Sequence, residues 1–183
     1  MSCDDRCIQW YALMVKSRHE KWVSAALRGK GYTEYLPLYR KVERYGGHTK
    51  TVHLPLFPNY VFSKFDPYHR LPILTIPGVF CVVQNGHTPS PVAESEIEQI
   101  QRLCEWSQDI CPWPFGEPGT LVRVVDGPLT GVVGTLTAFK SRNRLVVSIS
   151  LLQRSVSIEI DADVVRPVGF GTQQHYVASR RAS

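Results

Sequence analysis

A chain of 183 residues with 43% hydrophobic and 20% charged side chains can bury one or two cores, which excludes a disordered tail. Lys and Arg number 21 against 16 Asp and Glu, a formal charge of +5 that leans toward anionic partners without a histone-like excess. No window approaches the ~18 consecutive apolar residues of a membrane span.

Met1 to Asp5 is acidic with no apolar run behind it, so a secretory signal is not expected and the expected location is cytoplasmic. The charge is uneven: +5 over residues 1–62, −3 over 63–116, +1 over 117–168 and +2 over 169–183. A polyanion is therefore sought first against the first third, with a plain solvated surface as the competing reading. Cys3, Cys7, Cys81, Cys104 and Cys111 are odd in number and form no CxxC pair, so reduced thiols are expected, with no disulfide framework, metal or cofactor.

Residues 8–15 form an apolar run of strand length, ended by Lys16-Ser17-Arg18-His19-Glu20. Over 20–30, the three- and four-residue spacing of Trp22, Val23, Ala26 and Leu27 predicts an amphipathic helix stopped by Gly29 and Gly31. A strand follows around 33–38. Residues 40–52 give two polar arms around Gly46-Gly47, an exposed hairpin tip or loop. Residues 56–65 are strand-like, with Pro55 and Pro58 marking an edge or a turn. Residues 67–77 have room for a short helix interrupted by Pro72, and 79–83 form a strand. Over 91–106 a helix is predicted: Ser95 and Glu98 have capping-box spacing, and Ile97, Ile100 and Leu103 or Cys104 make the apolar stripe.

The stretch 111–118 carries Pro112, Pro114 and Pro118, cannot continue a helix, and marks a domain boundary. Beyond it, 121–125, 132–139, 145–150, 155–160 and 164–168 are short β-like runs, separated by Asp126-Gly127-Pro128, Ser141-Arg142-Asn143 and Asp161-Ala162-Asp163. Five short strands in so few residues predict a small closed barrel, because curling removes exposed edges. The expected plan is an α+β domain at 6–108, a linker at 109–116, a β-barrel at 117–168 and an unstructured tail at 169–183. Two domains on a short chain suggest a bridging role.

In Gly119–Gly134 two apolar strands flank Asp126-Gly127-Pro128, and Gly131 and Gly134 allow close approach in the second. This stretch resembles the KOW motif of the NusG and Spt5 family of transcription elongation factors and of some ribosomal proteins. Upstream, Trp10-Tyr11 and Pro55-Leu56-Phe57-Pro58-Asn59-Tyr60-Val61-Phe62 resemble the N-terminal (NGN) domain of the same family. The resemblance spans about residues 8–168 and implies an antiparallel sheet with flanking helices joined to an SH3-like five-stranded barrel. Asn59 stands where Gly is usual, and Leu152-Gln153-Arg154 where Phe-Gly-Arg is usual. The former is similar to RfaH and related specialised paralogues, implying an operon-specific antiterminator. The richness of 145–160 in Val, Ile and Ser argues against an all-α alternative for the barrel.

The resemblance further implies a monomer whose N-terminal domain sits on the clamp helices of the largest RNA polymerase subunit through an apolar concavity. Mapped by motif, its candidates are Met14, Phe57, Tyr60 and Phe62, side chains that give contact area at low entropic cost. Strand alternation sets Tyr60 and Phe62 opposite Phe57 and Val61, so at most one set is exposed. Lys16, Arg18, His19 and Lys21 are candidates for the non-template strand, and Arg40, Lys41 and Arg44 for upstream duplex. The barrel would dock a small-subunit ribosomal protein through Leu129, Leu151, Leu152 and Arg154. Rho, the other family partner, is not expected. Polymerase binding would discourage pausing by population shift, about tenfold per ~1.4 kcal/mol of preference.

The alternative is a ribosome- or RNA-binding KOW protein without polymerase contact, which has no need of the Trp10-Tyr11 and 55–62 signals. No enzyme is expected: Gly-x-Ser-x-Gly, P-loop and His-Glu-x-x-His patterns are missing. A thiol enzyme using Cys81 is a further rival, against which a buried strand cysteine is the plainer reading.

Overall fold

A computed structural model describes residues 8–45, 48–107, 109–116, 118–139 and 142–168. The sequence-predicted tail at 169–183 and the Gly46-Gly47 tip lie outside them. In chain order, β1 (Gln9–Val15) leads through a turn to α1 (Glu20–Gly29), β2 (Thr33–Tyr35), the ribbon strands β3 (Leu38–Tyr45) and β4 (His48–Pro55), and β5 (Tyr60–Phe65). A 3-10 turn, Pro67–His69, precedes α2 (Leu71–Leu74), β6 (Val79–Val82), β7 (Gln84–Asn85), β8 (Thr88–Pro89), β9 (Pro91–Val92) and α3 (Glu94–Trp106). The second half is β10 (Cys111–Trp113), β11 (Thr120–Val124), β12 (Val133–Phe139), β13 (Arg142–Ile149), β14 (Arg154–Glu159) and β15 (Val165–Pro167).

The first sheet runs β2-β5-β1-β6, with β9 also pairing β1, all antiparallel. It is buried on both sides. Trp10 and Ala12 of β1 join one core with Phe62, Val92 and the Ile97, Ile100 and Leu103 stripe of α3. Tyr11, Leu13 and Val15 join the other, with Val23 and Leu27 of α1 and Ile73 and Ile76. A strand in that position reads as continuously apolar, which is why 8–15 was legible.

Three local expectations differ from the structure. The buried stripe of α1 is Glu20, Val23, Ser24 and Leu27, whereas Trp22 is 57% exposed. At 100° per residue Trp22 stands about 200° from Glu20, on the opposite side of the helix. The helix α3 starts at Glu94 behind an N-cap Ala93 with no side-chain cap bond, so Ser95 and Glu98 lie inside it rather than forming a capping box. Pro72 sits in the first turn of α2, where a missing N–H breaks no helical bond.

The second sheet has the order β10-β14-β13-β12-β11-β15. It holds the five anticipated strands and one more: Cys111–Trp113, expected in the linker, pairs antiparallel with Ser155–Ser157. Pro112 is tolerated because β10 is an edge strand. Among the described residues no ladder joins β10 to β15, so the pairing is an open path rather than a closed ring. Gly134 is required in β12: a Cβ there would lie 2.5 Å from the Val146 carbonyl oxygen. No helix among the described residues is long and apolar enough to cross a membrane.

The two sheets meet at α3. Three of its side chains, spaced i, i+3, i+6 along one face, reach the second domain's backbone. Glu96 Oε1 accepts from Ser150 N (3.3 Å), Gln99 Oε1 accepts from Val133 N (3.0 Å), and Arg102 donates to the Thr130 (2.6 Å) and Pro128 (3.2 Å) carbonyls. Buried side chains of both halves form one continuous core around this contact.

Candidate docking cleft and cationic surfaces

Toward Met14 the first sheet is less completely buried, and the second domain reaches it there through Arg154. There Met14, Tyr60 and Phe80 line a cleft of about 350 Å³, together with Pro58, Asn59, Lys16 and the second domain's Arg154. Met14 and Tyr60 are register partners across β1 and β5, and Phe80 comes from the neighbouring β6. Met14 is 37% and Phe80 66% exposed, and Tyr60 is half-buried.

Backbone bonds hold the rim. Tyr60 N donates to Phe57 O (3.1 Å), closing a turn with Asn59 at φ +70°. Asparagine tolerates this left-handed conformation better than other side-chain-bearing residues. Asn59 N donates to Glu20 Oε1 (3.0 Å), Asn59 O accepts from Val15 N (2.8 Å), and Lys16 N donates to Gly78 O (2.7 Å).

Two of the four predicted apolar contacts do not belong to the cleft. Phe57 is 1% and Phe62 0% exposed, and their rings pack edge to face at 5.6 Å inside the core. Alternation misplaced Phe57 because the strand begins only at Tyr60, so a period of two cannot be carried back through the turn. Phe62 shares the side of Tyr60, but further along β5, where the core covers it.

Lys16, Arg18 and Lys21 are exposed around the turn into α1, with Arg18 at φ +66°. His19 is more structural: it occupies the N-cap position, its Nδ1 lies 3.2 Å from Ser17 O, and it packs so closely on Gly78 that a Cβ there would be 3.0 Å from its ring. The region's two carboxylates are turned inward. Glu20 is 6% exposed on Asn59 N, and Glu34, also 6% exposed at its side chain, accepts from Ser24 Oγ (2.6 Å) and from Arg28.

The ribbon has unequal faces. In the β3–β4 register Arg40 faces His53, Val42 faces Thr51 and Arg44 faces Thr49, so these six exposed residues share one face without a carboxylate. Lys41 is on the other face, 3.2 Å from Glu43, which itself stands opposite Lys50.

The anticipated surface of the second domain is mostly covered. Leu129 and Leu152 are buried and Leu151 half-buried in the core shared with α3, while Arg154 lines the first domain's cleft. Burial pushes the Cys104 thiol above its ordinary value, the direction opposite to an activated nucleophile. Among the described residues no group of three or more His, Cys, Asp or Glu is placed to hold a metal ion.

Sequence reasoning missed Phe80 and the outward Trp22. Phe80 lies in a four-residue strand beside an irregularity between Met14 and Val15, too short a run for alternation to assign its face.

Comparison with known proteins gives a consistent result. Residues 8–101 match the family described as "Transcription termination factor nusG". A transcription termination/antitermination protein NusG of Rickettsia prowazekii is 28% identical over 173 residues, covering 86% of this chain and 89% of that protein. Its Thermus thermophilus counterpart is 28% identical over 176 residues, covering 84% and 95%. A Thermotoga maritima NusG structure, titled for its domain interaction, superposes with a TM-score of 0.54 at 18% identity, over 88% of this chain and 98% of that one.

Proposed function

This chain belongs to the NusG family, and from that premise we propose that it is a transcription elongation and antitermination factor whose Met14–Tyr60–Phe80 cleft receives the clamp helices of the largest RNA polymerase subunit. The observation that carries the reading is the cleft itself. It is an apolar strip at the incompletely covered end of the sheet, lined also by Lys16 and by Arg154 of the second domain, and braced by the hydrogen bonds of the turn before β5. Large exposed apolar side chains on rigid strands mark a contact surface, and Met, Tyr and Phe suit the knobbed tip of a coiled coil.

Around it, Lys16, Arg18 and Lys21 are set for the non-template strand, and the carboxylate-free face of the ribbon, with Arg40 and Arg44, for upstream duplex. A two-stranded ribbon fits the major groove. Asn59 and Leu152-Gln153-Arg154 support a specialised antiterminator rather than the general factor. The units near 6–108 and 117–168 act in sequence. A helix about 10–12 Å across enters the cleft only once Arg154 and the domain carrying it move aside, which also frees Leu129, Leu151 and Leu152 for a small-subunit ribosomal protein.

The test is the affinity of the full chain for core RNA polymerase. The double variant Tyr60→Ala/Phe80→Ala is expected to bind at least about thirtyfold more weakly, since central aromatic anchors contribute ~2 kcal/mol or more. Unchanged binding by the variant overturns the cleft as the contact surface, and a wild-type chain that does not bind the polymerase overturns the reading in favour of a ribosome- or RNA-binding protein without polymerase contact.

A further inference from the structure

Trp22 is 57% exposed on a regular helix, although α1 offers a buried stripe one position away. Its helix neighbours at i+3, i+4 and i+7 are the small Ala25, Ala26 and Gly29, and at i−3 stands His19, held against Gly78. Helical side chains lean toward the preceding turn, which directs Trp22 toward the loop carrying Arg18 and, beyond it, Lys16, with Lys21 adjacent in sequence. The nearby carboxylates Glu20 and Glu34 are both sequestered by internal hydrogen bonds. Around the start of α1 the surface therefore presents an exposed indole and the exposed cations Lys16, Arg18 and Lys21.

We propose that Trp22 is a stacking platform for an unpaired base of single-stranded nucleic acid, with Lys16, Arg18 and Lys21 holding the flanking phosphates. This rests on the reading above that these cations meet the non-template strand, and adds a recognition element that charge alone does not supply. Cations attract any polyanion, duplex included. An exposed indole gains from a base only where the base face is free, and stacking tolerates any sequence because every base has such a face. The site therefore prefers single strand to duplex.

The experiment measures binding of the full chain to a fluorescein-labelled single-stranded DNA oligonucleotide and to the same sequence as duplex, by anisotropy at several salt concentrations. Trp22→Ala is expected to weaken single-strand binding about five- to a hundredfold while leaving duplex binding little changed. Trp22→Leu, apolar but not aromatic, should lose as much, and Trp22→Phe should retain most of the affinity. Arg18→Ala/Lys21→Ala should instead flatten the salt dependence, by about 0.7 in the log–log slope per lost single-strand phosphate contact.

Because Trp22 is exposed, its variants should melt with the wild type; Trp22→Phe keeps the test valid if Trp22→Ala does not. Equal losses on single strand and duplex, full retention by Trp22→Leu, or wild-type protein that does not bind single strands would each overturn the proposal. Polymerase binding measured in parallel separates this outcome from failure of the cleft, which Trp22 does not line.

Discussion

The two sides of the β2-β5-β1-β6 sheet share the same strands yet are used differently. On one side α1 and α2 cover Tyr11, Leu13, Val15 and Val61 completely. On the other, α3 and the second domain bury Trp10, Ala12 and Phe62, cover Tyr60 in part, and leave Met14 and Phe80 exposed. Neighbouring aromatics of one strand, Tyr60 and Phe62, thus fall into different roles through the reach of a helix rather than through their own chemistry. Full burial of Phe62 supplies stability, and the partial exposure of Tyr60 leaves area for a partner.

The sharpest contrast is between Phe62 and Phe80. Phe62→Ala, emptying a fully buried site, is expected to cost about 3–5 kcal/mol of unfolding free energy by chemical denaturation. Phe80→Ala should change it by no more than about 0.5 kcal/mol, its effect appearing in polymerase affinity instead. Comparable destabilisation by both would erase the distinction between the sides.

A smaller effect is expected where the partly covered side meets the second domain. Arg102→Ala removes the donor to Thr130 and Pro128. Net hydrogen-bond worth near 1 kcal/mol predicts about a fivefold shift toward the undocked arrangement. Energy transfer between labels on the two domains would read it, and polymerase affinity should rise with it.

The smallest concerns Lys64 and Glu94, 2.7 Å apart at the edge of that side. The hydrogen bond from Lys64, then its charge, hold the Glu94 carboxyl below its ordinary value. Its contribution is therefore present above the ordinary carboxylate range and lost as pH falls through the depressed value. The pair is solvent-screened, so Glu94→Gln should only slightly narrow the wild-type gap in melting temperature between pH 7 and pH 3.

Much of this was legible because it is periodic or punctuated. The run at 8–15, the α3 stripe of Ile97, Ile100 and Leu103, and the Asp126-Gly127-Pro128 turn between strands all appear in the structure. The strand Cys111–Trp113 was hidden because its prolines read as linker, and only pairing with a distant strand makes it β. The cleft was half legible: Met14 and Tyr60 were identified, Phe57 and Phe62 belong to the core, and Phe80 went unread. Which apolar residue stays exposed depends on how α3 and the second domain pack on the sheet, a tertiary fact that local pattern does not encode. Trp22 illustrates the same limit, since its spacing fits a stripe that the fold places on the opposite side of α1.

The most direct measurement places a photoreactive benzophenone amino acid at position 80 of the full chain and irradiates it with core RNA polymerase. The account predicts a crosslink to the helical tip of the largest subunit, weakened by Tyr60→Ala in the same chain. Efficient polymerase binding with no crosslink from position 80, or with crosslinks only to another subunit, would contradict it.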